Sequence, residues 1–337
     1  MLNDQDIRRS VADAFEEAVV KFFDRHAVKH GTQWLTYGQV NEAANKIACA
    51  LVGSAGIGND SVAILFDHGF DAIVAAIAVM KAGKILVALD PTFPFERTRD
   101  VVEDSQTQWI LTSKAHLPLA KRVAQVPTQI INTDSLPAGL STSNLGLSIS
   151  PETVAQIVYT SGSTGRPKGV VHTHHIMLYE ATYGSGYFHV TPADRNLHVF
   201  RPVAIAFMKE NLKAFLVGAA LVPFDIKAEG LNRLADLLRA EEITVYRSLS
   251  STFRAFVEIL SGDESFHRLR LILLGGESLT KRDYEMFKKY FPSTCLFVNA
   301  FNTTEGGTIC HFTIDHQTEF PGNVVPIGFR REERRSC

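Results

Sequence analysis

The chain has 337 residues, 45% of them hydrophobic, which is enough apolar material for a large core and two subdomains. Lys and Arg number 34 against 36 Asp and Glu, so no global field draws the protein to nucleic acid or to an anionic membrane. The most apolar stretch, Ile73 to Met80, is far shorter than a membrane span and runs into Lys81 and Lys84, so it is expected to be a buried helix.

Asp4, Asp6, Arg8 and Arg9 precede any apolar run, the wrong order for a secretory signal, and the expected location is the cytoplasm. Cys49, Cys295, Cys310 and Cys337 are scattered without a CxxC pair, as suits a reducing compartment, and read as small buried hydrophobes. Helical periodicity runs from Val11 to Ala27. Thr36 and Gln39 then make a capping box for a second helix ending near Gly53.

A β-α-β pattern follows: a strand from Ser61 to Phe66, a helix from Phe70 to Ala82 stopped by Gly83, and a strand from Ile85 to Leu89 closed by Asp90-Pro91. A helix from Phe95 to Asp104 and strands at Trp109 to Thr112 and Gln129 to Asn132 continue it, implying a mainly parallel sheet flanked by helices. The polar stretch Ser135 to Ser150 sets the expected boundary between a first α/β subdomain, 1–150, and a second, 151–329. The second is expected to carry a strand at Val154 to Tyr159, helices near Ile176 and Leu212, and strands at Thr244 to Arg247, Leu271 to Leu274 and Leu296 to Ala300 in another parallel-type sheet. No repeat, heptad or low-complexity tract interrupts it.

Tyr159 to Gly169 places three glycines, four hydroxyls and Lys168 directly after a strand. Glycine lets the backbone approach an anion, Thr160, Ser161, Ser163 and Thr164 add donors, Gly162 and Gly165 open the turn, and Lys168 supplies a point charge for a departing pyrophosphate. The spacing does not fit GxxxxGK[ST], which excludes a P-loop, and a flexible Ser/Gly linker would not need the lysine.

This run resembles the signature loop of the AMP-forming acyl-adenylating superfamily: acyl-CoA synthetases, luciferases and the adenylation domains of nonribosomal peptide synthetases. Leu35 to Asn41 is similar to the family's early LTYxEL element, and Met80 to Gly83 with Leu89 to Pro91 and Pro94 to its KAGxxYVPLDPxxP element. The resemblance runs from about Val11 to Gly328, is nearest to the peptide-synthetase type, and implies two stacked α/β subdomains that use ATP and Mg2+.

It further implies that Leu274 to Leu279, with Gly275, Gly276 and Glu277, and Asn299 to Glu305 wall an adenine and phosphate pocket. Asn299 and Ala300 lead into Phe301, which stands where the family has tyrosine and can stack on adenine. Thr304 would meet the α-phosphate and Glu305 would hold Mg2+. Carboxylate attack on phosphorus brings two anions together, so Lys168, Thr304 and Glu305 are the expected catalytic set.

In peptide-synthetase domains a Phe-Asp pair between an Asp-Arg dipeptide and a Leu-Leu-x-Gly-Ala run pairs with the substrate's ammonium. Counting from Asp194-Arg195 and back from Phe215 to Ala219 lands on Ala204-Ile205. An ammonium facing Ile205 would lose its partner at several kcal/mol, so aryl, hydroxy, keto or fatty acids are the better expectation for a pocket of Ala204, Ile205, Gly275 and Phe301, unless Glu210 takes over. His172, His174 and His175 are expected to pack a helix N-terminus rather than to bind metal.

Val325 to Phe329 is similar to the family's PIGxP element, after which 330–337 reads as a charged tail without the family's catalytic lid. The expected function is therefore an AMP-forming acid ligase, an adenylation core that is truncated and weakly active alone, passing its product in the intact enzyme to a carrier protein or CoA. The alternative is a catalytically inactive ATP/AMP-binding or interaction fragment.

Overall fold

The computed structural model describes residues 7–161 and 166–330. The chain divides into two compact units, one of Met1–Ala193 with Phe200–Pro223, the other of Asp194–Val199 with Phe224–Cys337. The expected subdomain boundary at residue 150 falls inside the first unit. The charged tail from 331 onward lies outside the described residues.

In the first unit, Ser10 opens α1 (Val11–Phe22) with a reciprocal cap to Asp13. The helix stops short of the expected Ala27, because His26 to His30 instead forms β1 (His26–His30), paired antiparallel with β2 (Gln33–Thr36) across a turn that needs Gly31 at φ +58°. The Thr36 and Gln39 capping box starts α2 (Tyr37–Ala55) as expected. Gly38 leaves room for the Phe23 ring, whose atoms would come within 2.7 Å of any Cβ there.

The alternation then produces β3 (Ser61–Leu65), α3 (Phe70–Lys81), β4 (Ile85–Leu89), α4 (Phe95–Asp104), β5 (Trp109–Thr112), α5 (Leu117–Val123), β6 (Gln129–Asn132), β7 (Val154–Ser161) and β8 (Pro167–Thr173). These strands form one sheet in the order β6-β5-β3-β4-β7-β8, parallel except for β8. Every residue of β3 is buried, as a sheet covered on both faces requires. The apolar run in α3 is likewise buried along its length.

The polar segment after β6 is tied back to this unit rather than left loose. Asn144 Oδ1 accepts hydrogen bonds from Asn41 Nδ2 at 2.9 Å, Asn45 Nδ2 at 3.0 Å and Lys81 Nζ at 3.3 Å, while Lys81 also pairs with Glu16. Two early sequence elements, those of Asn41 and Lys81, thus meet at one polar cluster.

After β8 come α6 (His174–Tyr187), β9 (Arg195–His198), α7 (Ile205–Phe215) and β10 (Ala220–Pro223). Helices α1, α2, α3, α6 and α7 share a core in which Phe15, Tyr37 and Phe215 meet edge to face. Tyr37 donates to Ala219 O at 2.7 Å, satisfying its buried hydroxyl, and β10 runs parallel to β1.

The second unit continues with α8 (Ile226–Glu229), α9 (Leu234–Ala240), β11 (Val245–Leu249), α10 (Ser250–Glu258), β12 (Leu271–Gly275), α11 (Lys281–Tyr290), β13 (Leu296–Thr303), β14 (Gly307–Ile314) and β15 (Phe329–Arg330). Its strands run β15-β14-β13-β12-β11-β9. The expected parallel sheet is found in β9, β11, β12 and β13, with β14 and β15 added antiparallel. Phe253, Phe287, Phe291 and Phe297 fill its interior, the closest rings 4.7 Å apart.

Candidate functional site

The residues on either side of the phosphate-type loop pair as two antiparallel strands. Strand β7 enters beside β4 and β8 returns antiparallel, with Thr160 opposite Lys168 and Ser161 opposite Pro167. The returning strand escaped the sequence reading because Pro167 and Gly169 are poor strand formers. Gly169 is needed there: a Cβ would lie 2.9 Å from Ile157 Cγ2 and 3.3 Å from the Tyr159 ring.

Tyr159 is held from outside the loop, its hydroxyl donating to Asp104 Oδ2 at 2.6 Å. Burial and then the Asp104 carboxylate push this phenol well above its usual range, so it remains a neutral donor. Lys168 is exposed on β8, and Thr160 Oγ1 lies 3.5 Å from Lys168 O. Gly162, Ser163, Thr164 and Gly165 lie outside the described residues.

The remaining nucleotide-type residues sit together in the second unit at the carboxyl ends of β12 and β13. In parallel register, Leu274 faces Asn299 and Gly275 faces Ala300. Gly275 is required by this neighbour, since a Cβ would fall 2.8 Å from Ala300 O, and Gly276 takes φ +87° against Leu249. The chain itself therefore explains both glycines. Phe301 is 43% exposed, leaving a ring face available for stacking.

Asn299 is buried and donates to Val325 O at 3.1 Å and Pro326 O at 3.0 Å, fastening the PIG element to β13. Its role in the structure is thus to hold backbone. Thr304 and Glu305 occupy the turn of the β13–β14 hairpin, where Thr303 pairs with Gly307 and Thr303 Oγ1 accepts from Gly306 N at 2.9 Å. Gly307, which closes the turn, has φ +63°, a left-handed conformation that glycine adopts without strain, and Glu305 stands exposed in the turn.

Glu277 is held by Arg254, whose Nη1 donates to Glu277 Oε2 at 3.2 Å. No group of three or more His, Cys, Asp or Glu side chains suited to a metal occurs among the described residues. A lone carboxylate such as Glu305 fits Mg2+ only in company with substrate phosphates and water, the usual mode for that ion.

At the substrate end, Ala204 caps α7 without a side-chain hydrogen bond and Ile205 is its first residue. Both belong to the first unit, unlike Gly275 and Phe301. Glu210 lies more than a turn further along and accepts from Lys213 Nζ at 2.9 Å, while Lys209 pairs with Glu180 of α6 at 2.7 Å. The nearest acid in sequence is therefore already neutralised by a cation.

Among the histidines, His174 is fully buried at the start of α6, and its Nδ1 accepts the Val11 amide of α1 at 3.1 Å. His175 Nδ1 lies 3.1 Å from Ile7 O. They pack helix starts, as expected. Asp194 and Arg270 form a bidentate pair at 2.8 and 2.7 Å, with Thr244 Oγ1 donating to Asp194 at 2.6 Å, so the Asp-Arg dipeptide ties β9 to the start of β11.

A match to the AMP-binding enzyme family extends over residues 15–329. The chain belongs to that family. Tyrocidine synthase 3 of Brevibacillus parabrevis is 32% identical over 323 residues, and surfactin synthase subunit 2 of Bacillus subtilis is 33% identical over 323 residues. Each alignment spans 95% of this chain but only 5% and 9% of the relatives, so the chain corresponds to a small part of such synthetases.

The N-terminal subdomain of Klebsiella oxytoca NpsA, solved with 3-hydroxybenzoyl-AMSN, superposes with a TM-score of 0.82 at 21% identity, covering 98% of this chain and 81% of that one. The nonribosomal peptide synthetase FmoA3 superposes with a TM-score of 0.86 at 22% identity over 96% of this chain and 34% of its own. These likenesses establish the fold of an AMP-binding enzyme core. Among the described residues, no helix is long and apolar enough to cross a membrane.

Proposed function

We propose that this AMP-binding family member activates a carboxylic acid with ATP. A carboxylate oxygen attacks the α-phosphorus, the new P–O bond forms as the bond to the bridging oxygen breaks, and the electron pair leaves with pyrophosphate, giving an acyl-adenylate. The observation that carries this reading is the β7–β8 pairing, which sets exposed Lys168 opposite Thr160 on the strands that flank the glycine and hydroxyl run of the sequence. Lys168 offsets charge on the departing pyrophosphate, Thr304 orients the α-phosphate, and Phe301 stacks on the base. Mg2+ held by Glu305 and the phosphates would neutralise charge at the reacting phosphorus.

Ile205 directs the reading away from ordinary α-amino acids and toward aryl, hydroxy, keto or fatty acids, because a buried ammonium there has no carboxylate. The acceptor of the acyl group is proposed to be a carrier-protein thiol. Lys168→Ala and Glu305→Ala are each expected to weaken Mg-ATP binding about tenfold or more in calorimetric titration. Binding unchanged in both variants would overturn the assignment. Ile205 also supports a second reading, nucleotide binding without turnover. Pyrophosphate exchange across a panel of acids separates the two, since ATP binding with no exchange for any acid supports the second.

A further inference from the structure

The β12–α11 loop, Gly276 to Thr280, carries nucleotide-type residues; Leu279 buries its side chain, and the residues around it are held by polar clamps within the second unit. Arg254 of α10 makes four such hydrogen bonds. Its Nε and Nη2 donate to Asp283 Oδ1 and Oδ2 at 2.8 and 3.0 Å, Nη2 donates again to Ser278 O at 2.6 Å, and Nη1 reaches Glu277 at 3.2 Å. From the same helix, Ser250 Oγ donates to Glu277 O at 3.2 Å.

The base of this clamp is buried and hydrogen-bonded. Asp283 is 3% exposed, accepts from the Thr280 amide at 2.7 Å and from Thr280 Oγ1 at 2.9 Å, and completes the capping box that starts α11. Burial pushes the Asp283 carboxyl up, but Arg254 and Thr280 outweigh this and hold it below its ordinary range, so the anion persists as an anchor at neutral pH. On the far side, Val325 N donates to Leu279 O at 2.9 Å and Lys281 N to Asn323 O at 2.8 Å. The loop is therefore pinned on two sides, and Arg254 spans from the anchor to its middle.

We infer that Arg254 is a positioning residue for nucleotide recognition: by bridging Asp283 to Ser278 O and Glu277, it sets the Gly275–Gly276 backbone in the conformation that receives the base. This rests on the adenylating reading above. Chemistry singles out arginine because one planar fork makes a bidentate carboxylate pair and still has donors for a carbonyl and a second carboxylate, whereas a lysine ammonium is a single point donor group. The Arg254–Glu277 bond is half-exposed and contributes little by itself, so the Ser278 carbonyl and the Asp283 pair carry the effect.

The test compares base-containing with base-free ligands on the 337-residue chain. Mg-ATP and inorganic tripolyphosphate are titrated against wild type, Arg254→Ala, Arg254→Lys, Ser250→Ala and Lys168→Ala, with circular dichroism and melting recorded for each. Arg254→Ala is expected to weaken ATP about tenfold while tripolyphosphate stays within about twofold, and Arg254→Lys to recover part of the loss. Lys168→Ala should weaken both ligands. Ser250→Ala, which leaves the Asp283 pair intact, should give a smaller loss confined to ATP and keeps the test decisive if Arg254→Ala does not fold.

Equal ATP affinity in wild type and a folded Arg254→Ala, or in wild type and Ser250→Ala where Arg254→Ala does not fold, would overturn the inference. A loss of ATP and tripolyphosphate together in Arg254→Ala or Ser250→Ala, with a lowered melting point, would also overturn it by showing a merely structural role. Wild type that binds neither ligand would instead sink the underlying function.

Discussion

One buried imidazole does the work of a helix cap from far along the chain. His174 accepts the first amide of α1, a group that the helix cannot satisfy internally. Burial pulls its pKa down to about 4, against 6.5 when free, so the folded protein keeps it neutral. Above pH 6.5 neither state is protonated. As pH falls through that value the unfolded chain takes up a proton that the folded chain refuses until about 4, so stability drops across this window. Denaturant unfolding should show wild type losing about 2 kcal/mol more than His174→Asn between pH 7 and 5. Equal losses would show that the histidine does not titrate on unfolding.

Ile205 is the other decisive single residue. Ile205→Asp is expected to create a preference for α-amino acids over their deaminated analogues in a binding or exchange assay, since the N-terminal turn of α7 has no other acid in sequence and Glu210 is bound to Lys213. An unaltered preference would mean the pocket lies elsewhere. These residue-scale features differ in legibility. The isoleucine could be found by counting from its flanking motifs, whereas the partner of His174 is 163 positions away and no local pattern names it.

At the scale of elements, buried periodic segments were the easy part. The wholly apolar β3 and the long α3 follow from hydrophobic runs punctuated by glycine and proline. The three hairpin returns, β2, β8 and β14, were not read. Each begins or turns at glycine, proline or polar residues whose strand conformation is imposed by a neighbouring strand rather than by local propensity. The phosphate-type and acidic motifs were therefore legible as sequence, but the antiparallel returns beside them, β8 and β14, were not.

The strand-to-strand tie at Asp194 gives a test at this scale. Asp194→Ala removes the bidentate acceptor of Arg270 and the 2.6 Å acceptor of Thr244, and because Arg270 is about a third exposed the cost should be on the order of 2 kcal/mol, less than for a fully buried pair. Urea unfolding measures it. A loss under 0.5 kcal/mol, the range of ordinary surface changes, would show that the pair is solvated in solution. Gly328→Ala should be costlier still, as its Cβ would lie 2.0 Å from His311 O at a φ of +81°.

Across the whole molecule, the order of motifs announced the family and the two-sheet α/β plan, because each motif is local and its order along the chain is fixed. What it could not announce was membership. Strand β7, which follows the polar segment, completes the sheet begun by β3 and β4, and that segment is fastened by Asn144 to α2 and α3. A stretch that looks like a linker by composition is held by three side chains drawn from distant positions. The chain-level prediction concerns substrate class: pyrophosphate exchange, where it occurs, should favour acids lacking an α-ammonium, and a panel led by proteinogenic amino acids would refute this.

The sealed lysines have a practical consequence. Lys81 and Lys84 are almost fully enclosed, each against a carboxylate, whereas Lys168 stands open to solvent. An amine-reactive ester read out by mass spectrometry should thus tag Lys168 early and the other two only when the core breathes, making one protein its own clock for both ligand protection and global opening.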